Sequence, residues 1–311
     1  MITYRLLKGA LSPLSLGTLW FVASLVLDNV NDVIMKYVGI EMGAQQIIFM
    51  RFLSSTLVLL PLVARRRDQE HGPAHMGLHV LRSFLLYVGM VLWCFGLRNV
   101  PIAMATSINF TIPIFVLIFA RIFLKEGLGR IKIIATLVGF LGTLVVIDPF
   151  GSALGPGPQF GGAEILIISA MLFALLDVLN KRFVAKESTL NMLFYSGLFV
   201  ALFSAVPAVI HWTRPSMHAF FLLGFLGITG NLILYCLLRA FSYAAISAIA
   251  PYRYLELIIS AGFGYLIFSE IPKTTTYIGA LLIGVSTCII MYETRLLKWF
   301  GARASGPLDK V

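Results

Sequence analysis

Long apolar runs, each close to twenty residues and separated by short connections, dominate the chain. A bilayer core of about 30 Å needs about 20 mostly apolar residues per crossing helix. Reading for such runs gives ten candidate spans, at about 14–37, 45–64, 78–98, 101–124, 130–148, 163–184, 190–211, 218–240, 245–269 and 274–293. Charged residues make up 12% of the sequence, about half of the ~25% usual for a water-facing domain. A soluble exterior cannot be built from so little charge, so lipid is the expected solvent for most of the chain.

The net charge of +10 would point to nucleic acid in a soluble protein. Here the cations sit at span ends, where they act as topology signals and headgroup contacts, and no nucleic-acid partner is expected. With the N-terminus in the cytoplasm, the inside segments hold Arg5 and Lys8, then Arg65, Arg66 and Arg67, then Lys125, Arg130 and Lys132. They continue with Lys181, Arg182 and Lys186, then Arg239, then Arg295, Lys298, Arg303 and Lys310. The outside connections hold Arg98, Arg214 and Lys273, with Lys36 at the boundary. The bias predicts a bacterial inner-membrane protein with both termini in the cytoplasm. The Arg5/Lys8 start imitates a signal peptide, but the run behind it carries Asp28, Asn31 and Asp32 and lacks a small-residue cleavage site. A retained first helix is expected.

The two halves resemble each other. Asp32-Val33-Ile34-Met35-Lys36 ends the first span, and Asp177-Val178-Leu179-Asn180-Lys181 ends the sixth, with Phe49 and Phe194 at the same offset. Leu97-Arg98 matches Leu238-Arg239, and Glu126 matches Glu270. The tract Phe150–Gly162, rich in Gly and Pro and uncharged, cannot continue a helix and lacks the ending of a phosphate loop. The expected organisation is a first five-helix repeat over 1–149, a linker over 150–162, a second five-helix repeat over 163–294 and a cytoplasmic tail over 295–311. Five is odd, so the second repeat enters the membrane from the opposite side. The fold class is therefore an all-α membrane protein of ten transmembrane helices in a five-plus-five inverted repeat, the architecture that lets one central site face either side.

Ionisable groups inside spans cost about 2.5–3.5 kcal/mol each on insertion scales and normally meet a partner or a water-filled cavity. In the first span Trp20, Ser24, Asp28 and Asp32 share a face by i+4 spacing. Asp28 is the candidate cation-binding or proton-coupling group. Asp32 with Lys36, and Asp177 with Lys181, are either local structural pairs or coupling groups. Arg51 in the second span is either a clamp on a carboxylate or a snorkelling or paired cation. The ninth span carries Ala250-Pro251-Tyr252-Arg253-Tyr254-Leu255-Glu256. As a site, it offers a cation, an anion and two ring faces; as structure, Arg253 and Glu256 neutralise each other by i+3. Pro251 removes a backbone donor there and is expected to open the helix. Thr106, Asn109 and Pro113 form a polar stripe that reads equally as a site or a packing seam. Trp93 and Tyr87 supply stacking surfaces or packing. Gly139, Gly142, Gly279 and Gly284 look like close-packing positions, and Glu126 and Glu270 look structural.

Cys94, Cys236 and Cys288 fit neither a disulfide framework nor a zinc site. His71, His75, His79, His211 and His218 are placed in or beside loops and lack metal-helix spacing. No metal, no cofactor and no nucleophile–base set is expected, and the chain is not read as an enzyme.

Ten spans, a five-plus-five repeat and Arg51-Phe52 resemble the drug/metabolite transporter superfamily, in its EamA branch. So do the stretch from Pro113 to Glu126, and Tyr254-Leu255-Glu256 ahead of Phe268-Ser269-Glu270. Asn31-Asp32-Val33 with Lys36-Tyr37, Leu176-Asp177-Val178 with Asn180-Lys181, and the ninth-span string are similar to S-adenosylmethionine uptake transporters of obligate intracellular bacteria such as rickettsiae. So is Lys186-Glu187-Ser188 followed by Met192-Leu193-Phe194-Tyr195-Ser196. The resemblance implies an inner-membrane carrier that takes in S-adenosylmethionine, with S-adenosylhomocysteine as an exchange partner. It would act as a monomer or weak dimer in the lipid bilayer. Arg253 or Arg51 would take the carboxylate, Glu256 or Asp28 the cationic groups, and Tyr252, Tyr254 or Trp93 the adenine or sulfonium. Asn109 completes the candidate set. The other readings kept open are an exporter of amino acids or other metabolites on the same fold, and a membrane-embedded enzyme or receptor.

Overall fold

The computed structural model describes residues 12–38, 41–66, 75–97, 108–147, 162–268 and 274–291. It is helical throughout, with no strand among the described residues. The first half contributes α1 (Pro13–Val38), α2 (Ala44–Arg66), α3 (Met76–Leu97), α4 (Ile112–Phe123) and α5 (Arg130–Ile147). The second contributes α6 (Gly162–Phe183), α7 (Thr189–Ile210), α8 (Met217–Tyr243), the short α9 (Ile246–Ile249), a 3-10 segment (Ala250–Tyr254), α10 (Leu255–Phe268) and α11 (Thr274–Met291). Six of these helices, α1, α2, α3, α6, α7 and α8, are long and apolar enough to cross a membrane. The expected linker up to residue 161, the tail beyond 291, Thr106, Glu270 and the side chains of Asp32 and Lys36 lie outside the described residues, while Gly162 already begins α6.

Local sequence sets the helix ends. Ser188 caps α7 by accepting from the Asn191 N–H at 3.2 Å, and Ser216 caps α8 by accepting from the Ala219 N–H at 3.2 Å. Pro61 lies inside α2 and Pro207 inside α7, a placement that membrane helices tolerate because neighbours re-satisfy the freed carbonyl. Glu126 takes on the task its position suggests. Its Oε1 accepts from the Ile246 N–H at 3.1 Å and its Oε2 from the Ser247 N–H at 3.0 Å, fixing the start of α9. The ninth span is broken as Pro251 predicts: α-helix gives way to a 3-10 segment at Ala250 and resumes at Leu255.

The helices pack across the halves rather than within them. The principal pairs are α5 on α11, α2 on α7, α1 on α8 and α3 on α6, then α2 on α8, α3 on α7, α4 on α6 and α10 on α1. Exchanging the halves maps this set onto itself: α1 on α8 becomes α6 on α3, and α4 on α6 becomes α10 on α1. Small residues permit the closest approaches. A Cβ at Gly142 would lie 3.0 Å from the Gly279 carbonyl oxygen, and one at Gly139 would overlap the Tyr254 ring. Phe21, Leu25, Ile112, Val116, Phe241 and Tyr252 anchor the main apolar cluster. Large apolar side chains such as Leu57, Leu141, Val206, Phe221 and Leu281 face outward and are more than half exposed, a surface suited to lipid.

Candidate functional site

A cavity of about 380 Å³ opens between the halves, within the range of small-molecule sites. α1 supplies Ser24, Asp28 and Met35; α2 supplies Arg51, Phe52 and Ser55; α3 supplies Arg82, Leu86, Met90 and Trp93. Asn109 and Ile112 close one side, and α6 gives Phe173, Asp177 and Asn180. Ser196, Gly227, Gly230 and Asn231 come from α7 and α8, with Arg253 and Glu256 from the broken ninth span. The wall thus combines apolar and aromatic area with a few convergent polar groups.

Six residues singled out in the sequence as substrate contacts meet in this cavity: Asp28, Arg51, Trp93, Asn109, Arg253 and Glu256. Asp28 lies within electrostatic reach of both Arg51 and Arg253. Arg51 Nη1 also reaches the Met35 sulfur at 3.3 Å, and its guanidinium stands 5.7 Å from the Phe52 ring centroid. Glycine at 230 makes room for that guanidinium, which a Cβ there would meet at 3.3 Å.

Two expectations are corrected. Asp177 and Lys181 do not pair along their own helix. Asp177 Oδ2 accepts from Arg253 Nη2 at 2.7 Å, across 76 positions, while Lys181 Nζ donates to the Phe241 and Ala244 carbonyls at 2.6 and 2.9 Å. Lys181 thus ties α6 to the end of α8, and Arg253 takes the Asp177 carboxylate of α6 as an acidic partner. Tyr252 and Tyr254 do not line the cavity. They are 1% and 0% exposed, Tyr252 in the main core and Tyr254 against Phe110 and Ile283. The 3-10 segment, with three residues per turn in place of 3.6, aims these side chains away from the cavity. His79, expected in or beside a loop, stands in the first turn of α3. It is buried inside α3 with Nε2 3.4 Å from Glu187 Oε2.

Arg82 escaped the sequence reading. It lies nearly two turns inside α3 and is 2% exposed. Its Nε donates to Asn180 Oδ1 at 2.7 Å, and its guanidinium stands 6.0 Å from the Phe183 ring centroid. The signal was present, since Arg82 falls inside an apolar span like Arg51, but it sits close enough to the span end to pass as an interfacial cation. Other polar pairs stitch the wall: Ser55 Oγ donates to Asn231 Oδ1 at 2.7 Å, and Thr229 Oγ1 to Asn31 Oδ1 at 2.5 Å. Outside the helices, Glu187 accepts from Asn191 Nδ2 at 2.8 Å. Burial pushes the Glu187 carboxyl up, but Asn191, the His79 imidazole and the Ser188 N–H outweigh it and hold the group below its ordinary value. Among the described residues no cluster of His, Cys, Asp and Glu has the makings of a metal site.

A lipid-facing bundle of two like halves around one charged cavity defines a multi-pass membrane transporter. The chain belongs to the EamA-like transporter family, whose profile matches residues 15–148 and again 161–292. It is 39% identical over 289 residues to the S-adenosylmethionine uptake transporter of Rickettsia bellii, covering 93% of this chain and 98% of that one. It is 27% identical over 287 residues to a riboflavin transporter of Vibrio cholerae, covering 90% and 94%. A solved crystal structure at 16% identity superimposes with a TM-score of 0.77, covering 88% of this chain and 98% of that one. At that identity the likeness speaks for the fold alone.

Proposed function

We propose that the chain is a secondary transporter of the bacterial inner membrane that imports S-adenosylmethionine by alternating access, in exchange for S-adenosylhomocysteine. What carries the cargo is the similarity to the Rickettsia bellii carrier along nearly the whole of both chains. The cavity chemistry agrees with it. The cargo is elongated and bipolar, with a carboxylate and an ammonium at one end, a sulfonium between and an adenine at the other. Asp28 and Glu256 offer anions to the ammonium and sulfonium, Trp93 offers a ring face, and Asn109 a polar edge. Arg51 and Arg253 stand within electrostatic reach of Asp28, the kind of neighbour that a buried charge requires.

In this reading the ten spans form a five-plus-five inverted repeat with both termini in the cytoplasm. The self-mapping packing of the halves supports it. The substrate binds between the halves, which then rock to expose it to the other side. Asp28 and Glu256 are the first candidates for a titrating role if transport is proton-coupled.

Uptake of labelled S-adenosylmethionine into proteoliposomes, with and without S-adenosylhomocysteine preloaded, tests the reading. Acceleration by the preload is the expected result. Folded protein with no uptake under either condition overturns the cargo. The family likeness to a riboflavin transporter shows that this fold carries other metabolites, so export of amino acids from loaded vesicles is the reading that would then stand.

A further inference from the structure

The cavity holds three guanidinium groups, on Arg51, Arg82 and Arg253, and their surroundings differ. Arg253 is already engaged by the Asp177 carboxylate at 2.7 Å. Arg51 has Asp28 as an acidic neighbour. Arg82 is held by a neutral amide, Asn180, and the face of Phe183. Glu187, which acts on it electrostatically, is engaged by Asn191 and stands beside His79. Arg82 Nη1 is buried with no hydrogen-bond acceptor. A buried cationic donor left without an acceptor is costly, and a ligand that supplies one recovers that cost on binding.

Arg82 also begins a stripe. Arg82, Leu86, Met90 and Trp93 all line the cavity from α3, at the i, i+4, i+8 and i+11 spacing of one helix face. At 1.5 Å per residue the stripe rises roughly 16 Å from guanidinium to indole. Its ends are a fixed donor fork and a ring, with apolar wall between.

We propose that Arg82 is the carboxylate anchor of the cavity, aimed by Asn180, and that it selects ligands carrying an α-amino carboxylate at one end and a planar ring at the other. This rests on the transport reading above and adds to it the group that binds the acidic end and the direction in which the cargo lies along α3. Asn180 is a positioning residue: its amide fixes the Nε edge and leaves the remaining N–H groups for the ligand.

The test measures thermal stabilisation of the purified full-length protein by S-adenosylmethionine and by its decarboxylated analogue, which keeps the sulfonium and adenine. The wild-type protein prefers the carboxylated form by about tenfold or more, as expected for a charge-assisted pair. Arg82→Gln brings the two affinities together, and Arg82→Lys, which keeps the charge but not the fork, falls between. Asn180→Ala weakens S-adenosylmethionine while leaving the decarboxylated analogue nearly unchanged, so the proposal stays testable even if Arg82→Gln does not fold. Preservation of the wild-type preference in Arg82→Gln or Arg82→Lys overturns the anchor and leaves the cargo intact. If neither adenosyl compound binds but methionine is preferred over its decarboxylated amine in an Arg82-dependent way, the anchor stands and the cargo falls. A wild-type protein that responds to none of these probes overturns both.

Discussion

Arg253 takes its partner from the other end of its half of the molecule. The Asp177 carboxylate neutralises it at 2.7 Å, with the two side chains 20% and 10% exposed. Removing one member of a buried pair strands the other charge at a cost of roughly 3–5 kcal/mol, and the partial exposure here places the loss near or below the low end. Asp177→Asn should therefore lower the melting temperature in detergent clearly, and Arg253→Met in that background should recover part of the loss. A double-mutant cycle measures the coupling, and additive effects would show that the pair contributes nothing. Gly139 is the opposite case, a position defined by what it lacks. Gly139→Val forces a side chain into the Tyr254 ring and the Ser286 hydroxyl, so a loss of about 1–3 kcal/mol is expected from overpacking. The sequence made the close-packing role of Gly139 legible, because glycine inside an apolar span has few other uses. It could not reveal the partner of Asp177, because Lys181 stood one turn away and Arg253 only comes near once α6 and the broken ninth span meet.

The broken ninth span is the element that joins core to cavity. Its 3-10 turn buries Tyr252 and Tyr254 on the core side and leaves Arg253 and Glu256 on the cavity wall. Glu126 holds the upstream end through two backbone N–H groups. Glu126→Ala leaves both donors without that acceptor, at about 1–3 kcal/mol each if they stay dry. Amide exchange at Ile246 and Ser247 of α9 should speed up well before α8 is affected; unchanged exchange there would deny Glu126 its structural role. Apolar runs and Pro251 announced the position of this element, since the bilayer demands about 20 apolar residues and proline removes a donor. Which side chains faced the cavity was not announced, because that depends on a change from 3.6 to 3 residues per turn that composition does not encode. Arg82 was hidden for a different reason, because its burial comes from Asn180 and Phe183 on a helix of the other half.

At the scale of the whole molecule, the halves are joined at their edges as well as their centre. Gln46 of α2 exchanges hydrogen bonds with Thr213 ahead of α8, at 2.6 and 3.0 Å, and Glu187 meets His79 of α3. Glu187 is held below its ordinary value of 4.5. Its contribution to stability is therefore complete above that value and is lost as pH falls through the lower folded one. Acidification from pH 7 to pH 4 should destabilise the wild-type protein more than Glu187→Gln, as read by melting in detergent. Equal losses would remove Glu187 from the account. A further consequence follows from the six charged residues of the cavity wall. Asp28, Asp177 and Glu256 balance Arg51, Arg82 and Arg253, so with all six ionised the empty site carries no net charge. An empty or zwitterion-loaded carrier would then reorient without electrical work, whereas one loaded with a sulfonium cation would not. Exchange of S-adenosylmethionine for S-adenosylhomocysteine would move one positive charge inward per cycle, and an interior 100 mV negative would favour that by about 2.3 kcal/mol. The membrane voltage would then set the direction of flow, with no coupling ion required.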